Sequence, residues 1–543
     1  MDTTSYFIGV DVGSGSVRAA LVDQKGCVKK TAVKDLQTWK PKANFYEQSS
    51  TDVWNCCEFV IKGVADGVNP SDIKGIGFDA TCSLVALDKN GNPAAVSNSS
   101  NNEQNIIMWM DHRAQTEADL INKTNHDILK YVGGKVSLEM EMPKLLWLKK
   151  NLSNKWSQYG YFFDLPDFLT WKATGSLTRS LCSLVCKWNY ECTADGKQGW
   201  NMDFLKEIGL DDLAVDNFKK IGSEVLMPGQ YCGGLKDDVA KQLGLNPGTP
   251  VATSIIDAHA GGLGMIGTNG EGIDKDMSSR LSLICGTSTC HMAVNKSPIM
   301  VEGVWGPYFS AMVPSMWLNE AGQSASGMLL DYVISSHPAS AKLLSELSTG
   351  EVRIHLKNLL LKMSQNQGLE DLNLLTKDFH VWPDFHGNRS PLADSTLKGM
   401  ITGLVIDSSE QNLALLYLAT LQALSYGTRH IIDTLLLAGY KPFKSLLICG
   451  GITKDPLYVQ IQADVVGLPI LKPYEKDSVL LGSAILGACA SNYFNSMNAA
   501  IENMGGSAEV VKPKSNIKAF HDKKYRVFLR MFQDQLKYRA IMS

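Results

Sequence analysis

Eight consecutive residues, Asp11-Val12-Gly13-Ser14-Gly15-Ser16-Val17-Arg18, combine a carboxylate, a turn of glycines and hydroxyls, and a guanidinium. Such a turn can aim backbone N–H groups into one concavity, which suits phosphate oxygens. Ser14 and Ser16 add hydrogen-bond donors, and Arg18 adds positive charge. Asp11 stands where an apolar run meets the turn, a place from which a carboxylate can hold a phosphate-bridging Mg²⁺. The plain alternative is a hairpin turn with an incidental acid. Gly286-Thr287-Ser288-Thr289 repeats the small-residue turn, with Ile284 where the first copy has Asp11.

A third segment, Ser254-Ile255-Ile256-Asp257-Ala258-His259-Ala260-Gly261-Gly262, puts an acid at the end of an apolar run and ahead of small residues. A carboxylate so placed can face a cleft and accept the proton of an attacking hydroxyl. Its alternative is a helix cap, and His259 beside it reads as a structural residue. A fourth segment, Cys449-Gly450-Gly451-Ile452-Thr453-Lys454-Asp455, permits close backbone approach to a ligand or a tight strand–helix connection. Gly262-Leu263-Gly264-Met265-Ile266-Gly267 matches the dinucleotide-binding pattern, but its first glycine does not directly follow a strand. The Walker pattern is absent: Gly134-Lys135 is followed by Val136, with Leu129 in the first glycine's place.

Elements must carry these residues. Residues 6–12 and 17–23 are apolar runs flanking the first turn, and read as strands. Residues 281–285 and 290–294 flank the second turn in the same way. The two copies lie about 270 residues apart, which suggests two related lobes. Residues 73–78, 83–88, 249–256 and 445–449 read as further strands. Residues 113–132, 143–151, 410–437 and 456–466 read as helices. The polar, glycine-containing stretch 268–280 is the expected lobe boundary.

Composition excludes several classes. The chain has 543 residues, too many for one ordinary core. Its net charge of −3, with both signs interspersed, argues against nucleic acid as a partner. No apolar run is long enough to span a membrane, and no leader segment is evident at the start, so a cytoplasmic location is expected. The twelve cysteines are scattered. Cys56-Cys57 are adjacent, and Cys182 and Cys186 stand four apart without a second pair. Neither pair makes a zinc spacing or a disulfide framework, and reduced thiols packed as small core residues are expected.

FIGVDVGSGSVRAALVD, SIIDAHAGG, LICGTSTC and LLICGGITKDPLYVQIQAD, in this order over about residues 5–490, resemble the FGGY carbohydrate kinases, ribulokinase-like branch. The resemblance implies an α/β fold of two ribonuclease-H-like (actin/Hsp70-type) lobes with a central cleft. It implies an N-terminal lobe over 1–268, a C-terminal lobe over 275–490 and a helical extension over 491–543. ATP and Mg²⁺ are the implied cofactors, and a small sugar is the implied partner; a homodimer is compatible with the sequence. Asp257 resembles the catalytic base, and Asp11 and Asp257 the carboxylates at the metal. Gly13, Ser14, Gly15, Ser16 and Arg18 resemble the first phosphate loop, and Gly286 and Thr287 the second. Gly450, Gly451 and Asp455 resemble the adenosine site, with Gly327 and Asp331 on the same side. Asp79, Thr81, Trp109, Asp111, Lys187, Asp257 and Glu320 fall at sugar-contacting positions.

The implied reaction is ATP-dependent phosphorylation of a ketopentose hydroxyl, D-ribulose to D-ribulose 5-phosphate. Xylulose, L-ribulose and ribitol are alternative acceptors, and a non-catalytic nucleotide switch on the same fold is a further alternative. Asp79, Lys187 and Glu320 weigh against a switch, which needs no sugar contacts. Asp79-Ala80-Thr81-Cys82 replaces the Gln-Arg-Glu run of glycerol kinases. Glu141 departs from the first family signature, and the spacer of the second, between Gly403 and Ala419, is about two residues longer than usual.

Overall fold

The computed structural model describes residues 4–99 and 101–543. They form two compact units. The first comprises residues up to 269 together with 292–319 and 473–507; the second comprises 270–291, 320–472 and 508–543. The first break falls in the polar stretch expected at the lobe boundary, but the units are not consecutive in sequence. The expected extension over 491–543 is shared: 491–507 belongs to the first unit and 508–543 to the second.

The first unit is built on strand β1 (Tyr6–Val12), whose side chains are almost all buried. An apolar run this continuous suits a central strand covered on both faces. The turn 13–16 folds β2 (Ser16–Asp23) back antiparallel on β1, and β3 (Val28–Asp35) pairs antiparallel with β2. β3 alternates half-buried and exposed residues and carries three lysines, features that blunt a sheet edge. Helix α1 (Ser50–Ala65) starts at Ser49, whose side chain accepts the Asp52 N–H at 3.1 Å. It buries Val53, Trp54, Cys57, Val60, Ile61 and Val64 against the sheet. Each such aliphatic side chain stabilises the unit by roughly 1.5–3 kcal/mol.

β4 (Ile73–Ala80) lies parallel to β1 on the other side. Helix α2 (Leu181–Lys187) follows later in the chain, then β5 (Tyr231–Gly234), β6 (Pro250–Ala252) and β7 (Ile255–Ile256). The sheet order is β5-β6-β4-β1-β2-β3, with β7 also on β4. The strand expected over 249–256 is therefore two short strands. α3 (Asp257–Ile266) follows β7 at once. The glycine pattern 262–267 lies within and at the end of this helix rather than at a strand end, which removes the dinucleotide-binding reading. Gly264 has a packing reason instead: a Cβ there would stand 2.0 Å from the Ser478 carbonyl oxygen.

The helix Ser478–Ala490 returns to this unit and packs between the sheet and α3. Glycines make that approach close enough. Cβ atoms on Gly9, Gly75 and Gly77 would lie 2.1, 2.2 and 1.9 Å from backbone oxygens of that helix.

In the second unit, β8 (Arg280–Cys285) leads through the turn 286–289 into the start of β9 (Thr289–Asn295), whose residues from 292 on belong to the first unit. α4 (Gly327–Ser336) and α5 (Glu410–Leu437) follow, α5 with the bounds its apolar sequence predicts. β10 (Ser445–Cys449) pairs parallel with β8. α6 (Pro456–Val466) opens with Pro456 in its first turn and closes at Gly467, whose φ of 75° suits glycine. β11 (Ile470–Pro473), parallel to β10, and β12 (Ala508–Val511) extend the sheet. α7 (Lys518–Met542) is tied down by buried Lys524, which donates to Thr376 O at 2.6 Å, Phe379 O at 2.8 Å and Gln422 Oε1 at 3.0 Å.

The helix expected over 113–132 is shorter, Gln115–Lys123, followed by a 3₁₀ turn at Asp127–Tyr131; Asn125 separates them with a left-handed φ of 49°. None of the twelve cysteines is in a disulfide, and nine are buried. Among the described residues no helix is long and apolar enough to cross a membrane.

Candidate active site

Three carboxylates meet at the carboxyl ends of neighbouring parallel strands in the first unit. Asp11 of β1 pairs in register with Asp79 of β4. β7 lies beside β4 with Ile255 opposite Asp79 and Ile256 opposite Ala80. Asp257 is the next residue and opens α3, where its Oδ1 accepts the Ala258 N–H at 2.7 Å. Ligands of open α/β sheets collect at such strand ends.

Asp79 is fully buried. Burial, and then the Asp11 charge, push its carboxyl well above the usual range, with Asp257 acting in the same direction. Ser483, on the helix Ser478–Ala490, donates its hydroxyl to Asp79 Oδ2. Oδ1 of Asp79 has no donor among the described residues. Arg18, opposite Asp11 across the β1–β2 hairpin, holds Asp11 Oδ2 through Nε at 2.9 Å and through Nη2, and reaches Asp477 at 3.3 Å. Burial lowers the Arg18 pKa, and its carboxylate partners outweigh that and raise it.

The turn between these strands is compact and open. Gly13 N–H donates to Ser16 O at 3.0 Å, and Gly15 O accepts from Leu36 N–H at 3.0 Å. A Cβ on Gly15 would meet nothing within 4 Å, which leaves space over the backbone. Ser14 Oγ accepts from Trp109 Nε1 at 2.8 Å. Trp109 N–H in turn donates to Ser83 Oγ at 3.1 Å, and Ser83 Oγ stands 3.1 Å from Thr81 Oγ1. Ser14, Thr81 and Trp109 thus form one chain leading from the turn to the end of β4.

Lys187 ends α2, with its buried ammonium 4.1 Å from the centre of the Trp305 ring. Asp111 differs from the other expected sugar contacts. It is buried, with Oδ1 taken by Arg113 N–H and Nε at 2.9 Å each and Oδ2 by Arg113 Nη2 at 2.8 Å and Tyr46 N–H at 2.7 Å. Its carboxylate shapes the loop that carries Trp109. Glu141, where the family signature departs, is buried 3.2 Å from Lys144, and burial pushes its carboxyl up to about 7 against that cation.

In the second unit the turn 286–289 is anchored on the start of α4. Ser326 and Met328 N–H donate to Thr287 O at 2.9 and 3.2 Å, and Gly327 N–H to Gly286 O at 3.1 Å. A Cβ on Gly327 would stand 2.6 Å from Gly286 O. Gly450 has φ of 102° and backs onto the end of β8, where a Cβ would lie 2.3 Å from Cys285 O. Gly451 faces open space. Asp455 caps α6 through Leu457 N–H at 2.9 Å and takes the Tyr417 hydroxyl at 2.7 Å. Asp331 pairs with Arg353 at 2.7 Å, and both lie near enough to act on the Tyr417 phenol, which burial and Asp455 hold protonated. Glu320, buried, is ion-paired with Arg389, whose Nη1 also stands 3.5 Å from Cys290 Sγ.

A family model described as the FGGY family of carbohydrate kinases, N-terminal domain, matches residues 6–264. Its C-terminal counterpart matches residues 281–491. The chain belongs to the FGGY family of carbohydrate kinases. It is 50% identical over 551 residues to the FGGY carbohydrate kinase domain-containing protein of Homo sapiens, covering 99% of this chain and 98% of that one. It is 39% identical over 518 residues to a D-ribulokinase of Saccharomyces cerevisiae, covering 90% of this chain and 72% of that one. A ligand-bound xylulose kinase from Lactobacillus acidophilus superimposes with a TM-score of 0.79 at 17% identity, covering 99% of this chain and all of that one, and shares the two-lobed actin/Hsp70-like fold.

FGGY carbohydrate kinases bind a sugar and ATP, typically with Mg²⁺. The carboxylates of Asp11 and Asp257, oxygen donors at neighbouring strand ends whose charges both act on Asp79, fit a hard cation of that kind. Sequence reasoning did not find Ser483, Asp477, Tyr417 or Arg389 in this carbohydrate kinase. Each meets its partner from far along the chain, Ser483 from 404 residues away, and no local spacing marks it.

Proposed function

We propose that this carbohydrate kinase transfers the γ-phosphoryl group of ATP to O5 of D-ribulose, giving D-ribulose 5-phosphate and ADP, with Asp257 as general base. The observation that carries the chemistry is the placement of Asp257 at the head of α3, beside the strand ends bearing Asp11 and Asp79. The 39% identity to a D-ribulokinase supports the choice of sugar.

Each residue has a role in this reading. Asp257 Oδ accepts the proton of the attacking hydroxyl as the new O–P bond forms, and its charge is neutralised in that step. Asp11 and Asp257 are the carboxylates for Mg²⁺, which supplies charge neutralisation at the phosphates. Gly13, Ser14, Gly15, Ser16 and Arg18 orient phosphate oxygens, as do Gly286 and Thr287 of the second unit. Gly327, Asp331, Gly450, Gly451 and Asp455 belong to the adenosine side. Asp79, Thr81, Trp109, Lys187 and Glu320 contact the sugar, and Asp111 holds the Trp109 loop. Exclusion of water from the bound sugar suppresses hydrolysis of ATP.

A coupled ADP-release screen over D-ribulose, L-ribulose, xylulose and ribitol tests the sugar. D-ribulose is expected to give the highest kcat/KM; a higher value for another acceptor reassigns the substrate. Absence of stimulation by any of them favours the nucleotide switch. Asp257→Asn is expected to lose about 10²–10⁴-fold in kcat while ATP still binds, and near-normal turnover removes Asp257 as the base.

A further inference from the structure

Cys182 and Cys186 stand one helical turn apart on α2, so their thiols share a face. Their spacing alone makes no zinc motif, and His259 alone reads as a structural residue. The fold changes both readings by bringing His259, in the first turn of α3, against the two thiols. The ligand atoms of Cys182, Cys186 and His259 all lie within 4.8 Å of one another, and all three side chains are fully buried. Cys186 Sγ is 3.5 Å from His259 Nε2.

That separation is informative. Tetrahedral Zn²⁺ with Zn–S about 2.3 Å and Zn–N about 2.0–2.1 Å puts its sulfur and nitrogen ligands about 3.6 Å apart. We infer that Cys182, Cys186 and His259 form a Zn²⁺ site, separate from the carboxylates assigned to Mg²⁺. Two thiolates and an imidazole are a soft set that selects Zn²⁺, whereas Mg²⁺ takes oxygen ligands. Binding releases both thiol protons to solvent, and the two thiolates balance the dication, so no net charge is left in the buried site. Because the site is buried, the ion enters as the unit folds.

The location gives the site a consequence. Cys186 immediately precedes Lys187, and His259 lies two residues after Asp257. A bound ion ties α2 to α3 and sets the spacing of these two residues. Only this consequence rests on the proposed roles of Lys187 and Asp257; the binding itself does not.

The test measures metal rather than turnover. The full chain is produced in medium containing Zn²⁺, purified under reducing conditions and assayed for metal content. About one Zn²⁺ per chain is expected, falling at least tenfold in Cys186→Ser and His259→Gln. Production with Co²⁺ is expected to give thiolate-to-cobalt charge-transfer absorption and visible bands of a tetrahedral ion, lost in Cys182→Ser. Wild-type protein with less than about a tenth of a metal ion per chain and no cobalt–thiolate absorption overturns the site and leaves a thiol–imidazole hydrogen bond. Metal content unchanged in a soluble Cys186→Ser variant also overturns it. The wild-type measurements decide the matter if a variant does not fold, and they stand whichever sugar the enzyme phosphorylates.

Discussion

Ser483 donates its hydroxyl to the buried carboxylate of Asp79, from 404 residues further along the chain. The glycines of β1 and β4 make this contact geometrically available, because only they let the helix Ser478–Ala490 lie directly on the sheet. Ser483 is the donor that opposes burial and the Asp11 charge in setting the Asp79 carboxyl. Ser483→Ala removes it, so the Asp79 pKa rises further. If Asp79 contacts the sugar as an anion, the acid limb of the kcat/KM profile moves to higher pH in this variant. The pH–rate profile of both proteins checks this, and coincident profiles refute it.

Gly77 and Gly15 predict opposite outcomes for the same substitution. A methyl group on Gly77 meets the Ser483 carbonyl at 1.9 Å, whereas one on Gly15 meets nothing within 4 Å. Gly77→Ala is expected to destabilise by about 1–3 kcal/mol or more, since backbone on both sides must move. Gly15→Ala is expected to leave stability within about 0.5 kcal/mol but to raise KM for ATP by crowding the proposed phosphate turn. Thermal melts and ATP kinetics on both variants test the pair. A stable Gly77→Ala protein, or unaltered ATP kinetics in Gly15→Ala, counts against the respective assignment.

Asp11 anchors Arg18 and faces Asp79. In the proposed role it also holds Mg²⁺, so Asp11→Asn should raise the Mg²⁺ concentration for half-maximal activity by roughly tenfold or more, because an amide is a weaker ligand than a carboxylate. Titration of Mg²⁺ at saturating ATP measures this. An unchanged midpoint assigns the metal elsewhere.

Acid should destabilise the second unit through buried histidines. Burial pushes His291 down to about 3, beside the Thr428 hydroxyl at 3.0 Å, and His521 down to about 4, beside the Tyr426 hydroxyl at 2.9 Å. Unfolding returns both toward about 6.5. Between that pH and the folded values, the unfolded chain binds protons that the folded chain does not. Their stability contribution is therefore complete above about pH 6.5 and is lost as the pH falls toward the folded pKa values, at up to about 1.4 kcal/mol per pH unit for each group. Denaturant unfolding at pH 7 and pH 5 should show the loss, and His291→Gln should make it shallower. Equal pH dependence in the two proteins contradicts the assignment to His291.

Much of the local architecture was legible along the chain. β1, β10, α5 and α6 have the bounds that their apolar runs and caps predict, because apolar periodicity and helix capping draw on residues a few positions apart. The turns at 13–16 and 286–289 and the position of Asp257 at a strand end were legible for the same reason. The split of the strand over 249–256 was not, since two separate pairings, not periodicity, decide where β6 and β7 begin.

Sequence by itself determined the residue types at the site and the strands and turns that carry them. Tertiary structure alone decided which of them meet. Register places Asp11 beside Asp79, helix packing brings Ser483 to Asp79, and Asp111 takes the N–H of Tyr46 from 65 residues away. Packing likewise brings His259 to two thiols that had no partner in the local pattern. The physical reason is common to all four. Local order depends on backbone conformation over a few residues, whereas a polar cluster depends on which distant faces share a buried interface.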